Sequence, residues 1–256
     1  MWDVAGPLLF TILVWWASTG LILMLIRLPQ RTHAWTFGVA SILLVLALAG
    51  LYVCSRQTTA AAAYCAFSCA LLVWGWQEVA FLLGVVTGPR RVPCPPTATG
   101  WQRAGLALQT VLHHELALIA LGAAVFAVSW DQPNQTGWWT YLVLWTMRQS
   151  AKLNVFLGVR NLNEHFLPPH LDYLPSYFAH RRMNALLPAS LLVSTLVVVP
   201  LWQSALATGA SAFELASLAL PAALLSLAIL EHVLLVLPLN ADVLWRWALG
   251  TDSARG

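Results

Sequence analysis

Seven runs of about 20 apolar residues divide the chain, and they constrain its fold more than any other feature. A helix of about 20 residues crosses the hydrocarbon core of a bilayer. The chain is 59% hydrophobic and 9% charged, with a mean hydropathy of +0.72, as in multi-pass membrane proteins. We therefore predict an all-α fold with seven transmembrane helices in a single bundle. The predicted spans are 4–26, 35–53, 60–87, 104–129, 137–157, 185–206 and 212–238.

The arginines between these runs predict how the bundle is oriented. Ten arginines fall in segments that alternating spans assign to one side, whereas the other side has only Arg56. Because cytoplasmic loops carry the Lys/Arg excess, we predict a periplasmic N-terminus and a cytoplasmic C-terminus. Ordered cytoplasmic loops are predicted at 88–103 and 158–184. A formal net charge of +3 gives no indication of a nucleic-acid partner. The sequence shows no internal repeat, which argues against an inverted-repeat transporter fold. The ten are Arg27, Arg31, Arg90, Arg91, Arg103, Arg160, Arg181, Arg182, Arg246 and Arg255.

The four cysteines show no C-x-x-C pair. Cys65 and Cys69 lie one helical turn apart in an apolar run. We predict that Cys54, Cys65, Cys69 and Cys94 are small buried hydrophobic residues rather than disulfide partners or metal ligands.

Ionisable residues interrupt four of the predicted spans. An unpaired charge in hydrocarbon costs several kcal/mol, so these groups are expected to face inward and pair across helices. The stretch "VLHHELAL" has three polar residues in a row, and a helix of 3.6 residues per turn cannot point all three at one centre. We predict that His114 and Glu115 face inward and leave His113 open. The predicted cluster is Glu78, His114, Glu115, Arg148, Lys152, Glu231 and His232.

Several roles suit such a cluster. Hydrogen bonds and ion pairs between helices often fix helix register without chemistry. The side chains of His114, His232 and Glu115 are alternatively candidate ligands for a transition metal or for the magnesium of a chlorin. The Glu-x-x-His spacing of di-iron proteins is absent, which disfavours the metal. A proton relay is a further role, which neither repeats nor broken helices support.

The segment between the fifth and sixth spans mixes aromatic residues with amides, imidazoles and prolines. Pro168, Pro169 and Pro175 break any long helix and predict short interfacial pieces. A surface of this kind suits a partner protein or an amphipathic pigment. The predicted docking residues are Asn161, Asn163, Glu164, His165, His170, Tyr173 and Tyr177.

Most of the chain from about residue 70 onward resembles a known family. The resemblance rests on "EVAFLLGVVTGPRR", "HHELAL", "PNQTGWWTYLVLWTMRQSAKLNVFLGVRNLNEHFLPPHLDYLPSYF" and "LEHVLLVLPLNADVLWRW". These stretches resemble the photosynthetic complex assembly protein 2 family (PuhE-type) of phototrophic bacteria.

The resemblance implies a factor in the inner (intracytoplasmic photosynthetic) membrane, encoded beside the reaction-centre H subunit. Such a factor supports assembly of the reaction centre and core antenna and influences bacteriochlorophyll supply. Our own hypothesis is that it acts as a scaffold or a bacteriochlorophyll-handling chaperone. The implied partners are membrane lipids, reaction-centre or core-antenna subunits and other assembly factors. The cofactor stays open, with bacteriochlorophyll a candidate ahead of a transition metal. No catalytic residue comes with the family. The alternative is an intramembrane metal-dependent oxidoreductase that acts on a pigment or lipid.

Overall fold

The computed structural model describes residues 2–162, 164–238 and 244–249, and this part of the chain is helical. Within it there is no β-strand, only an isolated bridge between Val159 and His180. Four short 3₁₀ turns lie in the connections, at Gln30–Thr32, Glu164–Phe166, Pro169–Leu171 and Leu174–Tyr177. The prediction that prolines leave only short pieces after the fifth run is confirmed. The helices are α1 (Trp2–Ile26), α2 (His33–Cys54), α3 (Ala60–Leu82), α4 (Gly100–Ser129), α5 (Thr136–Leu157), α6 (Leu186–Ala205), α7 (Ala212–Leu234) and the single turn α8 (Arg246–Leu249).

Among the described residues, six helices are long and apolar enough to cross a membrane. They are α1, α2, α3, α4, α6 and α7, and they make the chain a multi-pass membrane protein. Helix α5 has a spanning length of 22 residues but falls short in hydropathy. Its second half is polar because it holds Arg148, Gln149, Ser150, Lys152 and Asn154. The count of seven spans therefore stays a prediction.

Small side chains bring the central helices together. Helix α3 packs against α2, α5 and α7, and α5 also packs against α4 and α7. The buried face of α3 carries Ala62, Ala63, Ala66 and Ala70, which are at most 4% exposed. Helix association inside membranes depends on such close packing, since lipid supplies no hydrophobic drive between helices. The outer face of α6 instead exposes large apolar side chains, which are Leu192, Val193, Leu196 and Val197.

Two helix ends follow from local chemistry. Helix α7 starts with a capping box, in which Ser211 Oγ accepts from the N–H of Glu214 at 3.2 Å and Glu214 Oε2 accepts from the N–H of Ser211 at 2.7 Å. Helix α3 ends at Leu82 and not at residue 87 as predicted. Gly84 follows with φ of +76°, a left-handed conformation that ends the helix at no cost for glycine. The chain then runs non-helically to α4.

A disulfide links Cys54 at the end of α2 to Cys65 in α3, so the prediction for these two cysteines is wrong. The short α2–α3 connection folds the helices into an antiparallel pair and brings the two Cα atoms to 6.4 Å, within bridging distance. The sequence pattern could not reveal a pairing that depends on this fold. Cys69 and Cys94 remain free and half-buried.

The segments 83–99 and 158–185 pack together at one end of the bundle, and we call them the cap. Arg90 Nε donates to Tyr177 Oη at 2.6 Å, and the N–H of Cys94 donates to Ser176 Oγ at 2.8 Å. Arg103 Nη2 donates to the carbonyls of Phe156 (3.3 Å) and Tyr177. The cap also encloses an apolar cluster, which consists of Phe81, Leu171, Tyr173, Leu174 and Tyr177.

Candidate functional site

Helix α5 supplies the cations of a polar cluster inside the bundle. Arg148 Nη2 lies 3.0 Å from Glu78 Oε2 on α3. One turn later, Lys152 Nζ lies 2.6 Å from Glu115 Oε1 on α4. Gln149 Nε2 donates to the other oxygen of Glu115 at 2.7 Å. Glu78 and Glu115 therefore each have a charged partner on a neighbouring helix, as an ion in hydrocarbon requires.

The second imidazole of the predicted cluster, that of His232 on α7, also joins α5. Its Nδ1 lies 2.8 Å from the carbonyl of Ala228, and its Nε2 lies 2.9 Å from Ser150 Oγ. A carbonyl only accepts, so Nδ1 carries a proton, and Nε2 is hydrogen-bonded to the hydroxyl of Ser150. Both nitrogens of His232 are thus engaged in hydrogen bonds, and neither is free to hold a metal or pigment in this arrangement.

Glu231 precedes His232 but points to another helix, because neighbours on a helix are about 100° apart. Its Oε1 accepts from Trp15 Nε1 on α1 at 3.0 Å. The residue keeps accessible surface, and its carboxylate lies near the charges of Arg148 and Glu78. Glu231 therefore lies on a different face of α7 from His232, which belongs to the α5 contact.

His114 is buried at 1% exposure, and neither ring nitrogen has a hydrogen-bond partner. Its ring packs on Phe81 of α3 with 4.6 Å between the ring centroids. Gln77 lies one turn before Phe81, is equally buried, and also has neither amide atom paired. His113, by contrast, is exposed. Of the three predicted ligands, His114 is the one whose donor atoms are unpaired, since Glu115 already holds Lys152 and Gln149.

The backbone of α4 is held at this point by the segment after α3. The N–H of His114 donates to the carbonyl of Thr87 at 2.9 Å, and the N–H of Arg90 donates to the carbonyl of Gln109 at 3.3 Å. Gly88 permits this approach, because a Cβ there would lie 2.1 Å from the carbonyl oxygen of Gln109. The cap and the polar cluster therefore share a direct backbone contact.

The predicted docking residues are dispersed through the cap. Asn161 Nδ2 donates to the carbonyls of Leu234 (2.6 Å) and Leu237 (2.5 Å) and so caps the end of α7. Glu164 Oε1 lies 3.8 Å from His180 Nε2 at the surface. His170 is exposed and lies against Gly84. Asn163 and the side chain of His165 fall outside the part of the chain that the structure describes.

Tyr173 and Tyr177 do not lie on a docking surface, so the prediction is corrected for both residues. They are only 4% and 2% exposed, and they pack in the apolar cluster of the cap. Tyr177 Oη accepts from Arg90 and donates to the carbonyl of Val92 at 2.9 Å. An interleaved aromatic pattern suits a membrane interface and a packed loop equally well, which explains the error.

Several residues of the site were not predicted from the sequence. Gln149 donates a hydrogen bond to Glu115, and Ser150 is hydrogen-bonded to His232. Their position directly after Arg148 is the sequence signal that could have placed them in the cluster. Trp15 offered no signal, since its partner Glu231 lies 216 residues further along the chain. Among the described residues, no three His, Cys, Asp or Glu side chains are grouped so that they could hold a metal ion.

The fold and the site together define a class, the all-helical multi-pass membrane proteins with a charge-paired polar cluster inside the bundle. The chain belongs to the family DUF3623, described as a protein of unknown function, whose model matches residues 1–255. A relative from Rhodobacter capsulatus is 40% identical over 255 residues, which cover 97% of this chain and 90% of the relative. Its name is "Uncharacterized 30.4 kDa protein in puhA 5′ region". No solved structure matches the chain.

Proposed function

We propose that the chain is an assembly factor for the bacterial photosynthetic reaction centre and its core antenna. It acts within the inner photosynthetic membrane as a scaffold that holds subunits, or bacteriochlorophyll destined for them, during assembly. Its partners are then reaction-centre or core-antenna subunits, other assembly factors and the surrounding lipids.

The similarity to the Rhodobacter capsulatus relative carries this proposal. That protein takes its name from the 5′ region of puhA, in a photosynthesis gene cluster. The match runs over nearly the whole of both chains, so it concerns the complete bundle and not one shared segment. The resemblance to the photosynthetic complex assembly protein 2 family, found from the sequence motifs, supports the same function.

The geometry of the polar cluster favours a scaffold over an enzyme. Glu115, the carboxylate among the predicted ligands, is already occupied by Lys152 and Gln149. Such pairs lock α3, α4 and α5 in one arrangement and leave no open coordination position at the carboxylate. His114 is the residue best suited to a pigment, because an imidazole against the Phe81 ring could ligate the magnesium of a chlorin. Pigment binding there would require α3 and α4 to separate.

We further propose seven spans with the N-terminus in the periplasm. The distribution of arginines supports this orientation, and so does the disulfide between Cys54 and Cys65. Disulfides persist in the periplasm and are rare in the cytosol. The disulfide lies at the end of the bundle opposite the arginine-rich cap, which is the end that the positive-inside rule assigns to the periplasm.

Reporter fusions at the two termini test the number of crossings. A fluorescent protein after Gly256 should fluoresce and alkaline phosphatase at the same position should be inactive, because a cytoplasmic C-terminus is expected. The same reporters before Met1 should give the opposite result. If α5 did not cross, six crossings would put both termini on one side, and equal reporter activity at the two ends would contradict the proposal.

Co-purification from a phototrophic host tests the function. We expect reaction-centre or core-antenna subunits to accompany the chain in mild detergent, and mature complex to fall when its gene is deleted. A far-red chlorin band in stoichiometric amount would indicate the pigment-handling form, and subunits without such a band would indicate the scaffold. A deletion strain with normal complex levels and a chain that retains no subunit would contradict the proposal.

The exposed part of the cap is the expected contact with the partner. Changing Arg182 to Gln together with Met183 to Ser should lower the co-purified subunits at least about fivefold, since exposed anchors dominate interface energies. Stability should change by no more than about 0.5 kcal/mol. The matched control changes Arg31 to Gln and Leu28 to Ser, which are also exposed at this end of the bundle. Equal loss in both double variants would argue against a specific contact at 182–183.

A further inference from the structure

A cavity of about 290 Å³ lies where the cap meets the α1–α2 turn. Three segments that are distant in sequence form its wall. Gln30 and His33 come from the α1–α2 turn, Thr87 and Arg91 come from the segment after α3, and the 3₁₀ turn Pro169–Leu171 with Tyr173 closes the other side. The cavity is separate from the polar cluster around α5.

The lining is rich in hydrogen-bond donors and carries positive charge. Arg91 contributes a guanidinium, and His33 and His170 contribute imidazoles. No Asp or Glu occurs among the residues that line it. A cavity with one permanent cation, two titratable rings and no carboxylate is suited to a negatively charged ligand.

Two buried hydroxyls lie together in the same wall. Thr87 is 1% exposed and Tyr173 is 4% exposed, and their hydroxyls interact with each other but make no close hydrogen bond to the rest of the described chain. When one hydroxyl donates to the other, the accepting hydroxyl keeps its own proton free, and buried polar groups are normally satisfied by protein, water or ligand. Both hydroxyls can donate to the oxygens of a bound anion.

The backbone fixes the shape of the cavity. Gly84 has φ of +76°, and a Cβ there would lie 2.9 Å from Cδ2 of His170. Glycine therefore allows the imidazole to lie directly against the chain after α3. The carbonyl of Thr87 accepts the N–H of His114, which ties this wall to α4. Arg91 Nη2 donates to the carbonyl of Gly84 at 3.3 Å, so the guanidinium is already held near the opening.

We infer that this cavity binds a phosphate group, with Arg91 as its charged partner and the hydroxyls of Thr87 and Tyr173 as donors. A phospholipid headgroup and a soluble phosphate present the same chemistry to these groups. The setting favours the lipid, because Trp35 and Val85 close to the cavity in sequence are 79% and 51% exposed. Such exposed apolar side chains can contact acyl chains at the membrane interface.

The affinity should depend on pH. Partial desolvation against the cavity wall lowers the pKa of His170, and the charges of His33 and Arg91 lower it further, against a backbone hydrogen bond to Leu82 that raises it. The free ring is thus neutral at pH 7 and takes up a proton when an anion lies beside it. Binding of phosphatidylglycerol should therefore strengthen as pH falls from about 8 to about 6. Its phosphodiester keeps its charge over that range, so affinity that is flat with pH would exclude His170 from the site.

Titration of the purified full chain in neutral detergent tests the inference. Short-chain phosphatidylglycerol, phosphatidylcholine and inorganic phosphate are added separately, and binding is followed by calorimetry. We expect phosphatidylglycerol to saturate at one molecule per chain. Arg91→Gln should weaken it about tenfold or more, and Thr87→Val, which keeps the side-chain shape, should weaken it severalfold. Thr87→Val also keeps the test valid if Arg91→Gln fails to fold.

The control variant is Arg160→Gln, which removes an exposed arginine elsewhere in the cap. Saturable phosphatidylglycerol binding that is weakened by the two cavity variants alone would support the site with a lipid as its ligand. The same variant pattern with inorganic phosphate alone would support it with a soluble ligand. Equal weakening by Arg160→Gln would reveal general attraction to the basic end, and that result, like wild-type affinity in both cavity variants, would overturn the inference.

Discussion

Glu115→Ala is expected to lower the free energy of unfolding by about 3–5 kcal/mol, because it leaves Lys152 buried without its counter-charge. The side chains of Lys152 and Glu115 are 26% and 17% exposed, and their Nζ and Oε1 atoms lie 2.6 Å apart. The substitution also removes the acceptor of Gln149. Thermal and denaturant unfolding in a mild detergent measure the effect.

The neighbouring residue provides a matched control. His113→Ala should change stability by no more than about 0.5 kcal/mol, because His113 is exposed on the same turn of α4. Combining Glu115→Ala with Lys152→Met should recover much of the loss, since the second change removes the unpaired charge and keeps the length of the side chain. Should Glu115→Ala remain as stable as the wild type while partners still co-purify and an activity disappears, Glu115 would have a catalytic role and the enzyme alternative would gain.

Apolar run length predicted the helices well because the bilayer sets a minimum length that a sequence must meet. Helices α1, α2, α6 and α7 agree with the predicted runs to within a few residues. The run at 60–87 failed at its end, because the residues after Leu82 are apolar enough to continue a helix but fold back onto α4. Hydropathy measures preference for lipid, and it does not distinguish a longer helix from a segment buried against a neighbour.

The sequence indicates that ionisable residues within the apolar runs need partners, but not which partners they meet. The cost of an isolated charge in hydrocarbon indicates that Arg148 and Lys152 must find partners. The sequence does not say which carboxylate each cation meets, because that depends on how α3 and α4 rotate about their axes. His114 is a different case, since a neutral imidazole can be buried against Phe81 without a partner, and only the structure reveals it.

The cap was the least predictable part, because its contacts join segments far apart in sequence. Arg90 and Arg91 are adjacent and look equivalent as cytoplasmic charges. In the fold, Arg90 is hydrogen-bonded to Tyr177, whereas Arg91 lines the cavity. In the proposed orientation the positive-inside rule accounts for the arginines at this end, whereas tertiary packing decides which of them line the cavity.

Tyr177→Ala should be the most damaging single change in the cap, with a loss of about 3–5 kcal/mol in the free energy of unfolding. The ring is 2% exposed, and its hydroxyl joins Arg90 to the carbonyl of Val92. Tyr177→Phe keeps the ring and should cost about 1–2 kcal/mol, because it leaves the Val92 carbonyl and the partly buried guanidinium of Arg90 without this partner. Thermal unfolding of the two variants in the same detergent separates packing from hydrogen bonding.

Asp172→Ala, at an exposed position of the same segment, is the control and should leave stability within about 0.5 kcal/mol of the wild type. Partner capture by Tyr177→Ala should fall only in proportion to the unfolded fraction, because a buried ring cannot touch a partner. Tyr177→Phe, which remains folded, should therefore capture subunits normally. If Tyr177→Ala were as stable as the wild type and still lost its partners, the tyrosine would be a docking residue after all, and the cap would have to open when the complex forms.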